Sequence, residues 1–220
     1  MFAQPSTSKL ISLVAAIAVG VLVGLVALLL GGCGARTSDA GSPGTPGSTA
    51  RSANALLVGA DDLPAGFAAS AGQASTYRQQ VCGVDLEPTK PVQTASARFS
   101  QGPLGPFVEQ RVRVYDDDSA TDVLADLREA LKTCGSYDLP ASGSSAAVRV
   151  AVQPLDVPQL GDESVAWRQA PDTQLPITTD VVLIRSGRTV ALVTSYALKQ
   201  APDAATATQA ATAAADLLHG

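Results

Sequence analysis

Twenty-one uncharged, mostly aliphatic residues, Leu10–Leu30, follow Lys9 and end at Gly31-Gly32-Cys33. This run divides the 220-residue chain into an apolar segment and a remainder that has to build its core without it. A positive start, an apolar stretch and small residues before a cut describe a secretory signal. As a helix the run would be about 31 Å long, enough to cross a bilayer core, so length alone leaves a retained membrane span open. No Lys/Arg stop-transfer cluster follows; Gly34–Ala53 is rich in Gly, Ser, Thr, Pro and Ala instead. On either reading, the chain beyond residue 33 is expected on the outer side of the cell membrane.

Leu30-Gly31-Gly32-Cys33 resembles the lipobox of bacterial lipoproteins, in which the cysteine is lipidated and becomes the new N-terminus. The resemblance implies a signal peptide over 1–32 and a lipid anchor, such as palmitate, on Cys33. Residues 33–53 are then a disordered tether a few nanometres long, and 54–220 the extracytoplasmic domain. About 167 residues are left for it, the size of one domain with one core.

Residues 1–33 hold one Lys and no acid, so the remainder carries 14 basic and 20 acidic side chains, a net charge of −6. That balance argues against nucleic acid as a partner and against electrostatic attachment to anionic lipid. With Cys33 assigned to the anchor, Cys82 and Cys134 form an even pair in an oxidising compartment, and a disulfide is expected. Its loop of roughly 50 residues would contribute about 4 kcal/mol in the chain-entropy model. A metal site is the alternative use of two thiolates, but further ligands are missing: the single histidine is His219.

Periodicity outlines the domain. Pro64 and Gly66 mark a turn that delivers Phe67 to an apolar surface. Ala95, Ala97 and Phe99 alternate with polar residues. So does Phe107–Tyr115, with Val108, Val112 and Val114 on one face and Glu109, Arg111 and Arg113 on the other. Ser119-Ala120-Thr121-Asp122 has near capping-box spacing, and Asp116–Asp118 suit a helix N-terminus. Val123, Leu124, Leu127 and Leu131 recur at helical spacing, with Gly135 as the expected stop and Cys134 facing the core one turn past Leu131. Strands follow at Val148–Gln153 and Glu163–Gln169. Asp180–Arg185 and Thr189–Tyr196 are joined through Ser186-Gly187. This last hairpin is apolar on both faces, so it is predicted to be central and covered by helices. Asp203 caps an Ala-rich helix, Ala204–Leu218, expected to lie flat on the sheet. The order predicts an α+β fold: an antiparallel sheet of about five to six strands, helices packed against it, and one disulfide.

Catalytic equipment is sparse. Ser-His-Asp and Cys-His arrangements have no central histidine to use, and no nucleophile elbow, P-loop, dinucleotide fingerprint or zinc motif occurs. Counting from Asp116, a calcium loop would place Thr121 where glycine is required and Leu127 where glutamate is required. No cofactor and no metal are therefore expected. Gly161-Asp162-Glu163 reads as turn chemistry, with Asp162 as an acid at a ligand rim the alternative. Trp167 reads as a core residue, with a ligand platform the alternative.

Several motifs together resemble actinobacterial envelope lipoproteins: Leu63-Pro64-Ala65-Gly66-Phe67, Cys82, and Val112-Arg113-Val114-Tyr115 leading through acids into a helix that ends at Cys134. Gly161-Asp162-Glu163-Ser164 and the Val181–Val193 hairpin belong to the same set. These proteins are similar to the extracellular sensor domain of mycobacterial serine/threonine kinases of the kinase-H type. The resemblance spans roughly Leu56–Leu218. It implies an antiparallel sheet flanked by helices and a ligand cleft, although that sensor domain has two disulfides where this chain has one cysteine pair. The expected function is non-enzymatic: a lipid-anchored ligand-binding or sensor-like domain. Its expected pocket lies near Trp167, Tyr115 and Asp162 and takes a small or amphiphilic envelope ligand. An accessory subunit binding an envelope protein is the alternative.

Overall fold

A computed structural model describes residues 51–71, 79–141, 146–174, 177–198 and 200–220. The signal segment, Cys33 and the tether up to residue 50 lie outside the described residues.

Two 3₁₀ turns, Ala53–Leu56 and Ala60–Asp62, open the fold, and Ala53 is already buried. Gly66 adopts φ +94°, and Phe67 beyond it is in the core, as the Pro64/Gly66 turn predicted. Strands β1 (Ala68–Ala69), β2 (Gln80–Val81) and β3 (Val84–Asp85) are two residues each. β4 (Gln93–Ser100) and β5 (Phe107–Val114) form the first long hairpin, and α1 (Ser119–Leu131) follows. Then come β6 (Ser136–Leu139), β7 (Val148–Pro154), β8 (Glu163–Pro171), β9 (Ile177–Ser186) and β10 (Thr189–Leu198). Helix α2 (Ala204–His219) closes the order.

Eight strands make one sheet in the order β1-β4-β5-β10-β9-β8-β7-β6, every neighbouring pair antiparallel. β2 and β3 pair separately. The expected five to six strands are the long ones; the count is corrected to eight by the edge pieces β1 and β6. At two and four residues, neither is long enough to display an alternating pattern. Helix α1 carries the chain from β5, in the interior of the sheet, to β6 at the far edge. The chain then returns strand by strand until β10 docks on β5, eight residues in register from Thr189↔Val114 to Tyr196↔Phe107.

The central hairpin is apolar on both faces, and both faces are covered. Val182, Ile184, Ala191 and Val193 meet α2 and the 53–67 segment. Val181, Leu183, Val190 and Leu192 belong to the cluster of α1, Trp167 and Tyr115. Ala207, Ala210, Ala211 and Ala214 are buried along α2, so small side chains let its backbone settle close to the sheet. Asp203 caps α2 as predicted, its Oδ1 accepting from the Ala205 N–H at 3.0 Å. Polar anchors fix what lies on this face. The fully buried Gln110 accepts from Val58 N–H at 2.7 Å and donates to the Leu56 carbonyl at 3.0 Å. Arg168 grips the fully buried Asp180 at 2.6 and 2.8 Å and reaches the Pro202 carbonyl just ahead of α2.

Three local expectations change. The central turn is Gly187-Arg188 rather than Ser186-Gly187, because Ser186 is still paired with Thr189. Gly187, with φ +55°, takes the first turn position, where type II′ hairpins place glycine. Ser119 is the first residue of α1, not its cap: Asp117 Oδ1 accepts from the Ser119 amide (3.1 Å) and hydroxyl (2.6 Å) in place of a capping box. The helix also ends before Gly135, whose carbonyl accepts from Val152 N–H and so serves β7.

The Cys82–Cys134 disulfide is present, with Cα atoms 6.0 Å apart. It ties the Cys82-Gly83 turn of the β2–β3 hairpin to the residues just beyond α1. Cys82 sits at φ +53°, a left-handed conformation unusual for a side chain with a Cβ.

Two outcomes follow. Replacing both cysteines by serine should lower stability to denaturant by up to about 4 kcal/mol, and reductant should do the same to the parent protein. Asp117 is held below its ordinary carboxyl value of 3.8, chiefly by the Ser119 hydroxyl. Its contribution is therefore complete above pH 3.8 and is lost as pH falls through the lower folded value. Asp117→Asn should lower the melting temperature at pH 6, with the difference shrinking on acidification below 3.8.

Candidate functional site

On the α1 side of the sheet, antiparallel register stacks side chains in cross-strand rows. One row is Phe107, Tyr196, Thr179 and Gln169, from β5, β10, β9 and β8. The next is Arg98, Glu109, Thr194, Val181 and Trp167. The third runs Ser96, Arg111, Leu192, Leu183 and Val165. Val181, Trp167, Leu192, Leu183 and Val165 of these rows belong to the cluster around α1. The polar members on β5, β10 and β9 instead floor a concavity of about 460 Å³, with Gln79, Leu192 and Ile177 also in its lining. That volume is in the range of small-ligand sites.

Arg111 and Glu109 are neighbours on one face of β5. Arg111 donates from Nε (3.0 Å) and Nη2 (2.8 Å), both to Glu109 Oε1. Their side chains are only 10% and 15% exposed, so the pair is largely withdrawn from solvent screening. Glu109 also lines a smaller adjoining groove with Ser96 and Arg98. Arg98 lies over the Phe107 ring, 4.5 Å from its centroid, and its Nε donates to Tyr196 Oη at 3.1 Å. Phe107 and Tyr196 stack at 5.0 Å. Tyr196 is thus held by a ring on one side and a guanidinium at its hydroxyl.

The residues predicted for the site have other positions. Trp167 is 1% exposed, and its Nε1–H donates to Gln169 Oε1 at 3.3 Å. Tyr115 is 5% exposed in the same α1-side cluster, and burial pushes its phenol up to about 12. Asp162 lies at the β9–β10 turn: its Oδ2 accepts from Gly187 N–H at 2.7 Å and from Arg185 Nη1 at 3.2 Å. Arg185 also reaches Glu163, whose other oxygen meets Arg128 of α1, so the acids of this loop fasten helix, turn and sheet together. Gly161 before them has φ +62°, and a Cβ there would collide with the Arg185 carbonyl. Trp167 and Tyr115 share one cluster, while Asp162 belongs to the turn network.

Glu109, Arg111, Gln169, Thr179 and Tyr196 were not singled out as site residues. A signal for two of them was present: Glu109 and Arg111 alternate with valines in a strand, a polar face that turns out to belong to an interior strand. Another concavity, about 500 Å³, lies beside α1 with Asp85, Asp122 and Asp126 in its lining. Its charged lining is all of one sign, and the hydroxyls that line it, Thr89 and Ser119, are bonded to each other at 2.8 Å. Among the described residues, no group of three or more His, Cys, Asp or Glu is placed to hold a metal ion, and no helix is long and apolar enough to cross a membrane. Comparison with protein-family models, curated proteins and solved structures gives no match to this chain.

Asp162→Ala should speed hydrogen exchange of the Gly187 amide markedly and lower stability by about 1–2 kcal/mol, since that amide loses a charge-assisted acceptor. Exchange monitored residue by residue by NMR checks this; an unchanged Gly187 rate would remove Asp162 from the turn's support.

Proposed function

We propose that this chain is an extracytoplasmic lipoprotein of the actinobacterial envelope type, anchored to the outer face of the cell membrane through Cys33, with a non-enzymatic ligand-binding, sensor-like domain. The observation that supports binding is the concavity floored by Glu109, Arg111, Thr179, Thr194 and Tyr196. A charged pair in the middle of a sheet face is expensive to keep there unless something uses it. Cross-strand neighbours hold its polar groups in place, which lowers the ordering cost of binding. Binding is favoured over catalysis because Glu109 is engaged by Arg111 and the single histidine, His219, is exposed at the end of α2. Anchoring rests on the sequence of residues 9–33.

One observation favours a second reading, an accessory subunit that docks on an envelope protein. Ile177 and Leu198 are register partners, 39% and 37% exposed, and Leu104 in the β4–β5 connection is 73% exposed. Ile177 also lines the concavity, where it suits the apolar part of an amphiphilic ligand.

Two measurements test the proposal. Cys33→Ser should abolish metabolic fatty-acid labelling and release the chain from the membrane fraction; labelling that persists would overturn the anchor. Envelope lipids and muropeptides, screened by differential scanning fluorimetry, should raise the melting temperature of the parent protein and not of a Glu109→Gln, Tyr196→Ala variant. A shift equal in both proteins, or in neither, counts against the concavity. Crosslinking to one specific envelope protein through Leu104 or Leu198 would favour the second reading instead.

A further inference from the structure

Resting on that binding reading, we propose that the concavity recognises a neutral polyhydroxylated ligand, a mono- or disaccharide, through hydroxyl groups placed between Glu109, Gln169, Thr179 and Tyr196. Charge narrows the class first. Arg111 sends two donors to one oxygen of Glu109, so the floor carries a paired plus and minus. An anion would meet a carboxylate beside its guanidinium, and a cation a guanidinium beside its carboxylate. A zwitterion would need the two charges separated. A neutral ligand has none of these conflicts.

Hydrogen-bonding capacity narrows it further. Glu109 Oε2 accepts no hydrogen bond among the described residues and is an acceptor only. Gln169 is oriented by its neighbours. The Trp167 indole N–H can only donate, so the amide oxygen of Gln169 has to face it, where it also meets Tyr137 Oη at 3.4 Å. The Gln169 NH₂ is then left for the concavity that this residue lines. Tyr196 Oη already accepts from Arg98 Nε, leaving its proton to donate. Thr179, between Gln169 and Tyr196 in the same row, can do either. The floor therefore sets a pure acceptor on β5 beside groups that can donate on β10, β9 and β8, neighbouring strands about 5 Å apart. Vicinal hydroxyls, each able to donate and accept, match that mixture of acceptor and donors. Trp167 acts here as a positioning residue: it fixes which end of Gln169 a ligand meets.

Trp167 is the only tryptophan in the chain, and its bond to Gln169 makes it a reporter. The full chain, in phosphatidylcholine nanodiscs, is titrated with N-acetylglucosamine, trehalose and cellobiose, and separately with inorganic phosphate, L-glutamine and a neutral tripeptide. Tryptophan emission and calorimetry are read together. At least one saccharide should give a saturable response, weakened about tenfold by Tyr196→Phe and by Thr179→Val, each of which removes one hydroxyl and little volume. Trp167→Phe, followed by calorimetry, should weaken the same saccharide by a similar factor and be partly rescued by Gln169→Ser, whose hydroxyl both donates and accepts and needs no orienting partner. Saturable binding of phosphate, glutamine or tripeptide with no saccharide response would overturn the polyhydroxyl assignment and leave the binding reading standing. Saccharide binding unchanged in both hydroxyl variants would also overturn the assignment. Silence towards all six probes would overturn the saccharide assignment, and silence in the envelope-lipid and muropeptide screen as well would overturn the binding reading.

Discussion

Burial of the β9–β10 hairpin on both of its faces is the constraint from which the rest of the fold follows. Val181 to Ile184 and Val190 to Val193 are at most 4% exposed, and successive residues point to opposite sides. Burying each large aliphatic side chain stabilises by about 1.5–3 kcal/mol, so neither face can be left to water. The chain meets the demand with different materials. On one side α2 presents alanines and comes close, with the 53–67 segment filling the remaining width. On the other, α1 presents Val123, Leu124, Leu127 and Leu131, larger side chains on a shorter helix.

That difference in length bears on the concavity. Thirteen residues of α-helix reach about 20 Å, whereas ten residues of β10 extend about 34 Å. A helix of that length leaves part of the α1 face without a helical cover, and there the strands change character. Leu192 gives way to Thr194 and Tyr196 along β10, and Val181 to Thr179 along β9. The floor is polar where helical cover is absent, and its charges are paired. The same economy recurs across the sheet: Arg168 with Asp180, Arg113 with Glu87, and Arg185 with Asp162 and Glu163 each close a charge at an element boundary. Removing one partner of such a pair is more damaging than exchanging both, so the pairs hold register and docking as much as they add stability.

What could be read locally was read well, and what depended on distant register was not. The two-sided apolar hairpin, the Ala-rich helix with its Asp203 cap and the cysteine pair each declare themselves within a few residues or by count. β1 and β6 do not, because a two- or four-residue edge strand exists only by pairing with β4 or β7. Asp117 displaced Ser119 as the support of the α1 start because three consecutive acids offer three candidate caps, and the choice depends on backbone angles that no pattern encodes. The concavity is the extreme case. Its strand lining comes from β5, β8, β9 and β10, separated by up to 87 positions between Glu109 and Tyr196 and joined only when β10 closes onto β5. The predicted strand Glu163–Gln169 already puts Trp167 and Gln169 on one face, but their bond and the Thr179 and Tyr196 neighbours appear only once β8 is set in the sheet.

The position of the chain entry adds direction to the site. Arg51 lies beside Gly220 at the end of α2, since a Cβ on Gly220 would sit 3.5 Å from the Arg51 guanidinium. Two residues on, Ala53 N–H donates to Gln93, the β4 residue paired with Val114 at the end of β5. The concavity is floored near the other end of β5, where Phe107 backs Tyr196, and the two ends of that strand are about 23 Å apart. The described chain therefore begins beside one end of β5, and the polar floor lies towards the other, on the opposite face from α2. A floor built from paired charges and hydroxyls suits a polar, hydrogen-bonding ligand better than an apolar lipid tail.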